Sequence, residues 1–137
     1  MPSLKTLLYC ILFIFLISCD KEYSIDAYKS SPFAQGTLKD STGDCMHDSA
    51  IGNYYSGMAP NADSNYVELK MHITQPGNFH ISTDMQNGFH FADSGYVFNN
   101  GDTLIHLEPI GTPAMQQATF FTVSFNGDVC YFYVHVQ

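Results

Sequence analysis

The sequence contains no tryptophan and no arginine; its basic residues are five lysines (Lys5, Lys21, Lys29, Lys39, Lys70) against thirteen carboxylates, for a net charge of −8. Nucleic acid binding needs a basic footprint to track phosphates, so that class of partner is disfavoured. Catalytic signatures are missing as well. There is no G-x-S-x-G elbow, no H-x-x-x-H or C-x-x-C spacing, and Glu68 and Glu108 are the only glutamates after the first 31 residues. A nucleophile with its base and orienter, a zinc quartet and a well-defined carboxylate pair therefore find no support in the spacing. The chain is read as non-catalytic and without a cofactor. An EF-hand is excluded too: Asn61-x-Asp63-x-Asn65 imitates its start, but Tyr66 occupies the turn-glycine position and His72 the twelfth, where a bidentate Glu is required. Long apolar runs are scarce. The longest, Leu7–Ile17, has eleven residues, too short to span a bilayer and suited to a signal-peptide core.

What is present begins with that leader. Lys5 precedes the apolar core, and Leu16-Ile17-Ser18-Cys19 closes it. An aliphatic residue, a small residue and then Cys resemble the lipobox of bacterial lipoproteins, which implies cleavage after Ser18 and acylation of Cys19. Loss of residues 1–18 removes Lys5 and no acid, taking the charge from −8 to about −9. Two or three acyl chains at about 0.8 kcal/mol per buried methylene give stable anchoring where one chain would not. The expected partner of Cys19 is the membrane itself. Asp20-Lys21-Glu22 resembles the acidic export tags of outer-membrane surface lipoproteins, and an aspartate after the lipidated Cys also resembles an inner-membrane retention signal. The first implies a surface-exposed, outer-membrane location; the periplasmic face stays open. Residues 19–31 carry the lipidated Cys and a flexible tether, in which Glu22–Ser31 has no apolar period and reaches at most roughly 35 Å at about 3.5 Å per residue.

Residues 32–137 read as one domain, 137 residues leaving no room for a second core. Val67, Leu69, Met71 and Ile73 alternate with Glu68, Lys70 and His72, the pattern of a strand with one buried face. Similar runs occur near Phe33–Leu38, within Ser49–Pro60, at Asn78–Thr83, Phe89–Phe98, Thr103–Glu108, Phe121–Phe125 and Cys130–Val136. Turn signals separate them, among them Asn87-Gly88, Asn99-Asn100-Gly101, a break at Pro109–Pro113, and Asn126-Gly127-Asp128. About seven or eight short strands and no helix after the leader predict an all-β, antiparallel β-sandwich, with a small barrel as the alternative. Gly52-x-Tyr54, the Val67–Ile73 strand, Pro76-Gly77-x-Phe79-x-Ile81-x-Thr83, Asn87-Gly88-Phe89-x-Phe91, Ser94-Gly95-x-Val97-Phe98, Gly111-Thr112-Pro113 and Cys130-x-Phe132-x-Val134-x-Val136 together resemble the immunoglobulin-like domain of Gram-negative surface lipoproteins. That resemblance covers about residues 45–137 and implies a structural or ligand-presenting module of about seven strands. Gln116-Gln117-Ala118 departs from it, standing where a glycine-bearing turn belongs.

Export places Cys45 and Cys130 in an oxidising compartment, and Cys130 shares parity with the inward residues of its strand, so a Cys45–Cys130 disulfide buried between sheets is expected. The chain-entropy model gives such a long loop about 4–5 kcal/mol. Two surface features carry potential chemistry. If Phe79 pairs with Phe91 and Ile81 with Phe89, His80 falls opposite His90 with β-carbons about 5 Å apart, within reach of one zinc or copper ion. The same outward histidines, with His72, His106 and His135, read equally as a solvated sheet face. Loop carboxylates Asp40, Asp44 and Asp48 read either as turn formers or as ligands for a lone calcium. Phe120, Tyr131 and Tyr133 share outward parity on neighbouring strands, giving either an exposed aromatic stripe for a protein or glycan ligand, or a face covered by the N-terminal segment. The functional expectation is a lipid-anchored binding or scaffolding module of the cell envelope. The alternative is a metal- or carbohydrate-binding protein that uses those histidines or rings.

Overall fold

The computed structural model describes residues 32–137; the leader 1–18, Cys19 and the tether 19–31 lie outside the described residues. Eight strands and no helix make up this region: β1 (Gln35–Thr37), β2 (Asp48–Ile51), β3 (Tyr66–Gln75), β4 (Gly77–Ser82), β5 (Phe89–Val97), β6 (Gly101–Gly111), β7 (Ala118–Phe125) and β8 (Asp128–His135). Six of them form an antiparallel sheet ordered β1-β3-β6-β5-β4, with β2 also paired to β3, and β7-β8 form a two-stranded sheet. β1 and β2 share one edge of β3, pairing with its C-terminal and N-terminal halves respectively, while β6 pairs along the other edge.

β6 causes the sheet to curl. Its first seven residues pair with β3 and its last four with β5. Pro109 stands on the second stretch, opposite Phe91, just past the last β3 pair at Val67–Leu107. A proline lacks the N–H a central strand must donate, but here one edge of β6 has no ladder partner to lose. The expected break at Pro109 is thus corrected: the strand runs to Gly111, and the chain turns only beyond it.

The β7-β8 hairpin shares one buried core with this curled sheet. Asn126 (φ 47°) and Gly127 (φ 91°) supply the two left-handed positions of a type I′ turn, and every residue from Ala118 to Phe125 pairs across it. Isolated bridges tie the hairpin at both edges, Thr83 to Val123 and Tyr54 to Val136. Its inner residues Phe121, Val123, Phe125, Cys130, Phe132 and Val134 are buried with Val67, Leu69, Met71, Ile73, Ile81, Phe89, Phe91, Ile105 and Leu107 of the sheet. At the centre, Phe91 meets Phe121, Phe132 and Tyr54 edge-on at 5.1, 5.7 and 5.9 Å, a geometry that ring quadrupoles favour. Tyr54 is buried and its neighbour Tyr55 exposed, so the pair straddles the core boundary. Burial pushes the Tyr54 phenol above its ordinary pKa.

The N-terminal segment is stitched into the same core. Phe33 bridges Asn78 in parallel, with Ala34 donating to the Asn78 carbonyl and Asn78 to that of Pro32, both at 2.8 Å. Gly77 permits this approach, because a Cβ there would run into the backbone of Pro32 and Ala34. The Asp128 carboxylate, at the hairpin turn, accepts from Thr37 Oγ1 and from the Leu38 amide. The Thr37 hydroxyl, more than any other group, holds that carboxyl below its usual range. Cys45 and Cys130 are joined in a disulfide with Cα atoms 5.8 Å apart. Only its Cys130 half is buried; Cys45 is exposed, because it precedes β2 in a surface turn rather than lying on an inward strand position.

Candidate functional site

The histidines are distributed rather than clustered. In β4-β5, His80 pairs with Ser94, Ile81 with Asp93 and Phe79 with Gly95; His90 lies across from Ile110 of β6. The expected His80–His90 opposition, with any ion shared between them as cross-strand neighbours, is corrected by this register. The physical reason is the turn. Asn87 (φ 48°) and Gly88 (φ 83°) close a tight bend with Gln86 bridged to Phe89, which centres the pairing near residue 87, whereas a Phe79–Phe91 register needs a centre at 85. Between Ser82 and Gln86 the chain also reaches β7: Thr83 keeps its amide on the Phe91 carbonyl and accepts from the Phe91 amide while bridging Val123, and Asp84 exchanges hydrogen bonds with the Thr122 backbone.

Other histidines have local partners. His72 Nδ1 and Lys70 Nζ both lie 2.7 Å from the Asp102 carboxylate, which these two hydrogen bonds, Lys70 first, hold below its ordinary pKa. His106 stacks on Tyr66 at 4.6 Å with Glu68 3.4 Å away, and His47 Nε2 lies 3.0 Å from the Ser49 hydroxyl. His90 Nδ1 is buried with no hydrogen-bond partner. Among the described residues no group of three or more His, Cys, Asp or Glu side chains is placed to hold a metal ion. The loop carboxylates act within turns: Asp40 accepts from Thr42 and Asp44 amides at 2.8 and 3.1 Å, and the Thr42 side chain chiefly holds its carboxyl below the usual range. Asp48 stands apart on β2.

The aromatic stripe is exposed. Phe120, Tyr131 and Tyr133 are 67%, 66% and 63% accessible on the outer face of β7-β8. Phe120 pairs directly with Tyr133, their ring centroids 5.9 Å apart, and Tyr131 pairs with Thr122. Strand period places Tyr131 and Tyr133 on one face about 7 Å apart. Alternation alone produces this face: each inward core residue of the hairpin forces its neighbours outward.

Beside Tyr133 the surface dips into a groove of about 390 Å³ between β2 and β8, whose lining includes Asp48, Asn53, Tyr54, Tyr133, His135 and Gln137. Burial raises the Asp48 carboxyl above its ordinary pKa, opposed in part by His47. No sequence signal points to this groove, since it arises where the short β2 edge meets the last strand, a contact between residues more than eighty positions apart. A second depression of about 670 Å³ gathers Lys39 and Lys70, the two lysines of the described residues, with Asp40, His47, His72 and Asp102. Comparison of the chain with protein-family models, curated proteins and solved structures finds no match.

Proposed function

We propose that this chain is a lipid-anchored protein of the outer membrane, acylated on Cys19 and carried away from the bilayer on residues 19–31. Its folded region acts as a non-catalytic binding module for a protein or glycan partner. The observation that carries the reading is the outer face of β7-β8, where three large rings lie side by side in solvent. Rigid aromatic side chains bury much area at little cost in rotamer entropy, so such a face suits recognition. The lipobox-like Leu16–Cys19 stretch and the polar residues after it support the anchor. An immunoglobulin-like sandwich is the finer fold reading, supported by two antiparallel sheets that share one core.

Two experiments test this. Cys19→Ala should move the full-length protein out of the membrane fraction, and its retention there would overturn the anchor. A Phe120→Ala/Tyr131→Ala variant, still folded by its thermal transition, should lose the crosslinks that the parent forms with envelope components; unchanged crosslinking would overturn the binding face.

A further inference from the structure

The groove beside Tyr133 brings together two kinds of surface. One is an exposed aromatic ring contiguous with a second ring, Phe120. The other is a polar lining in which Asp48, Asn53, His135 and Gln137 can supply acceptors and donors, Ser49 being engaged with His47. The ring faces offer apolar area for C–H groups, and the polar groups offer both donors and acceptors within one cavity.

Charge narrows the class of ligand. Both lysines of the described residues lie at the other depression, and the net charge of −8 adds to the Asp48 carboxylate in repelling anions. A metal ion would need further ligands around Asp48, and no such group is assembled among the described residues. An apolar peptide would leave the carboxylate and amides desolvated and unpaired, each a penalty that a hydroxyl-bearing ligand avoids. A molecule with alternating C–H faces and neutral hydroxyls satisfies both halves of the site.

We propose that the groove between β2 and β8 is a subsite for a neutral glycan, one sugar ring stacking on Tyr133 while its hydroxyls bond Asp48 and Asn53, the chain continuing over Phe120. This rests on the reading of the β7-β8 face as a binding surface and adds to it a ligand class and a seat. The ring of Tyr133, rather than its hydroxyl, provides the stacking, and Asp48 acts as a strong acceptor for sugar hydroxyls.

The test is calorimetric titration of the full-length protein in detergent micelles with maltotriose, mannotriose and chitotriose, and with sialyllactose as an anionic comparison. At least one neutral trisaccharide should bind. Tyr133→Ala and Asn53→Ala should each weaken it by about tenfold or more, Tyr133→Phe should preserve it, and Phe98→Ser, on the β5-β6 connection, should leave it unchanged. Thermal transitions of all variants identify any that fail to fold, and Tyr133→Phe keeps the test decisive if Tyr133→Ala is one of them. Binding of sialyllactose alone, or of no sugar, overturns the proposal, as does neutral-glycan binding that is indifferent to Asn53 and Tyr133. If envelope crosslinks depend on Phe120 and Tyr131 while no neutral glycan binds, the binding face stands and this glycan subsite falls.

Discussion

Single residues carry opposite kinds of cost in this molecule. His90 Nδ1 is buried with nothing to bond, so it bears a desolvation penalty without return. His90→Leu is therefore expected to leave stability unchanged or raise it by up to about 1 kcal/mol, measured by urea denaturation. Asp48 is similar in kind, since burial raises its pKa above the unfolded value. A carboxyl raised on folding contributes stability while protonated and loses it as pH rises through the folded pKa. Asp48→Asn should accordingly raise the melting temperature at pH 7 and give no gain at pH 3; an equal gain at both would exclude desolvation of the charge as the cause. The disulfide works in the other direction. The disulfide ties the exposed Cys45 to the buried Cys130, and the paired Cys45→Ser/Cys130→Ser change should cost about 2–5 kcal/mol, visible as a large drop in melting temperature. The residues of this pair are legible in the sequence from the strand parity of Cys130 and the expectation of export. Exposure of the Cys45 half is not, because no strand pattern surrounds it.

At the scale of elements, alternation fixes which face each strand buries, and turns fix register. The alternation of β3, β7 and β8 is legible in residues such as Val67, Leu69, Phe121 and Phe132, all buried. The β4-β5 register departs from the one that aromatic matching predicts, because the Asn87-Gly88 turn sits at the bend and sets the pairing. Phe79–Phe91 and Phe79–Gly95 pairings keep the same faces inward, so alternation cannot choose between them. Engineered cysteines check this: His80→Cys with Ser94→Cys should crosslink readily, whereas His80→Cys with His90→Cys should not. Gly88 is the residue this register depends on most. Its φ of 83° disfavours any side chain, and a Cβ there would lie 2.6 Å from the Thr112 carbonyl oxygen. Gly88→Ala should therefore cost about 1–3 kcal/mol by denaturant titration.

For the whole molecule, acid is the informative variable. The Asp40, Asp102 and Asp128 carboxyls are all held below their unfolded pKa by hydrogen bonds, and a depressed carboxyl contributes stability above the unfolded value that is lost as pH falls through the folded one. Stability should fall below about pH 4, and Asp128→Asn, which loosens the tie between β1 and the hairpin turn, should weaken that dependence in a pH series of melting curves. The division between sequence and tertiary structure follows from the range of the forces involved. Local alternation, turn dipeptides and the apolar leader are short-range patterns, so the all-β class, the buried face of each strand, the outward parity of Phe120, Tyr131 and Tyr133 and the expectation of acylation at Cys19 are read directly from them. That none of residues 32–137 covers those three rings is decided only by the fold. The curl of the sheet depends on β6 exchanging β3 for β5 partway along its length, and the groove depends on β2 meeting β8. The β3–β6 and β2–β8 contacts join distant segments, selected by how the aromatic core packs, and packing is a property of the assembled chain that no local pattern encodes.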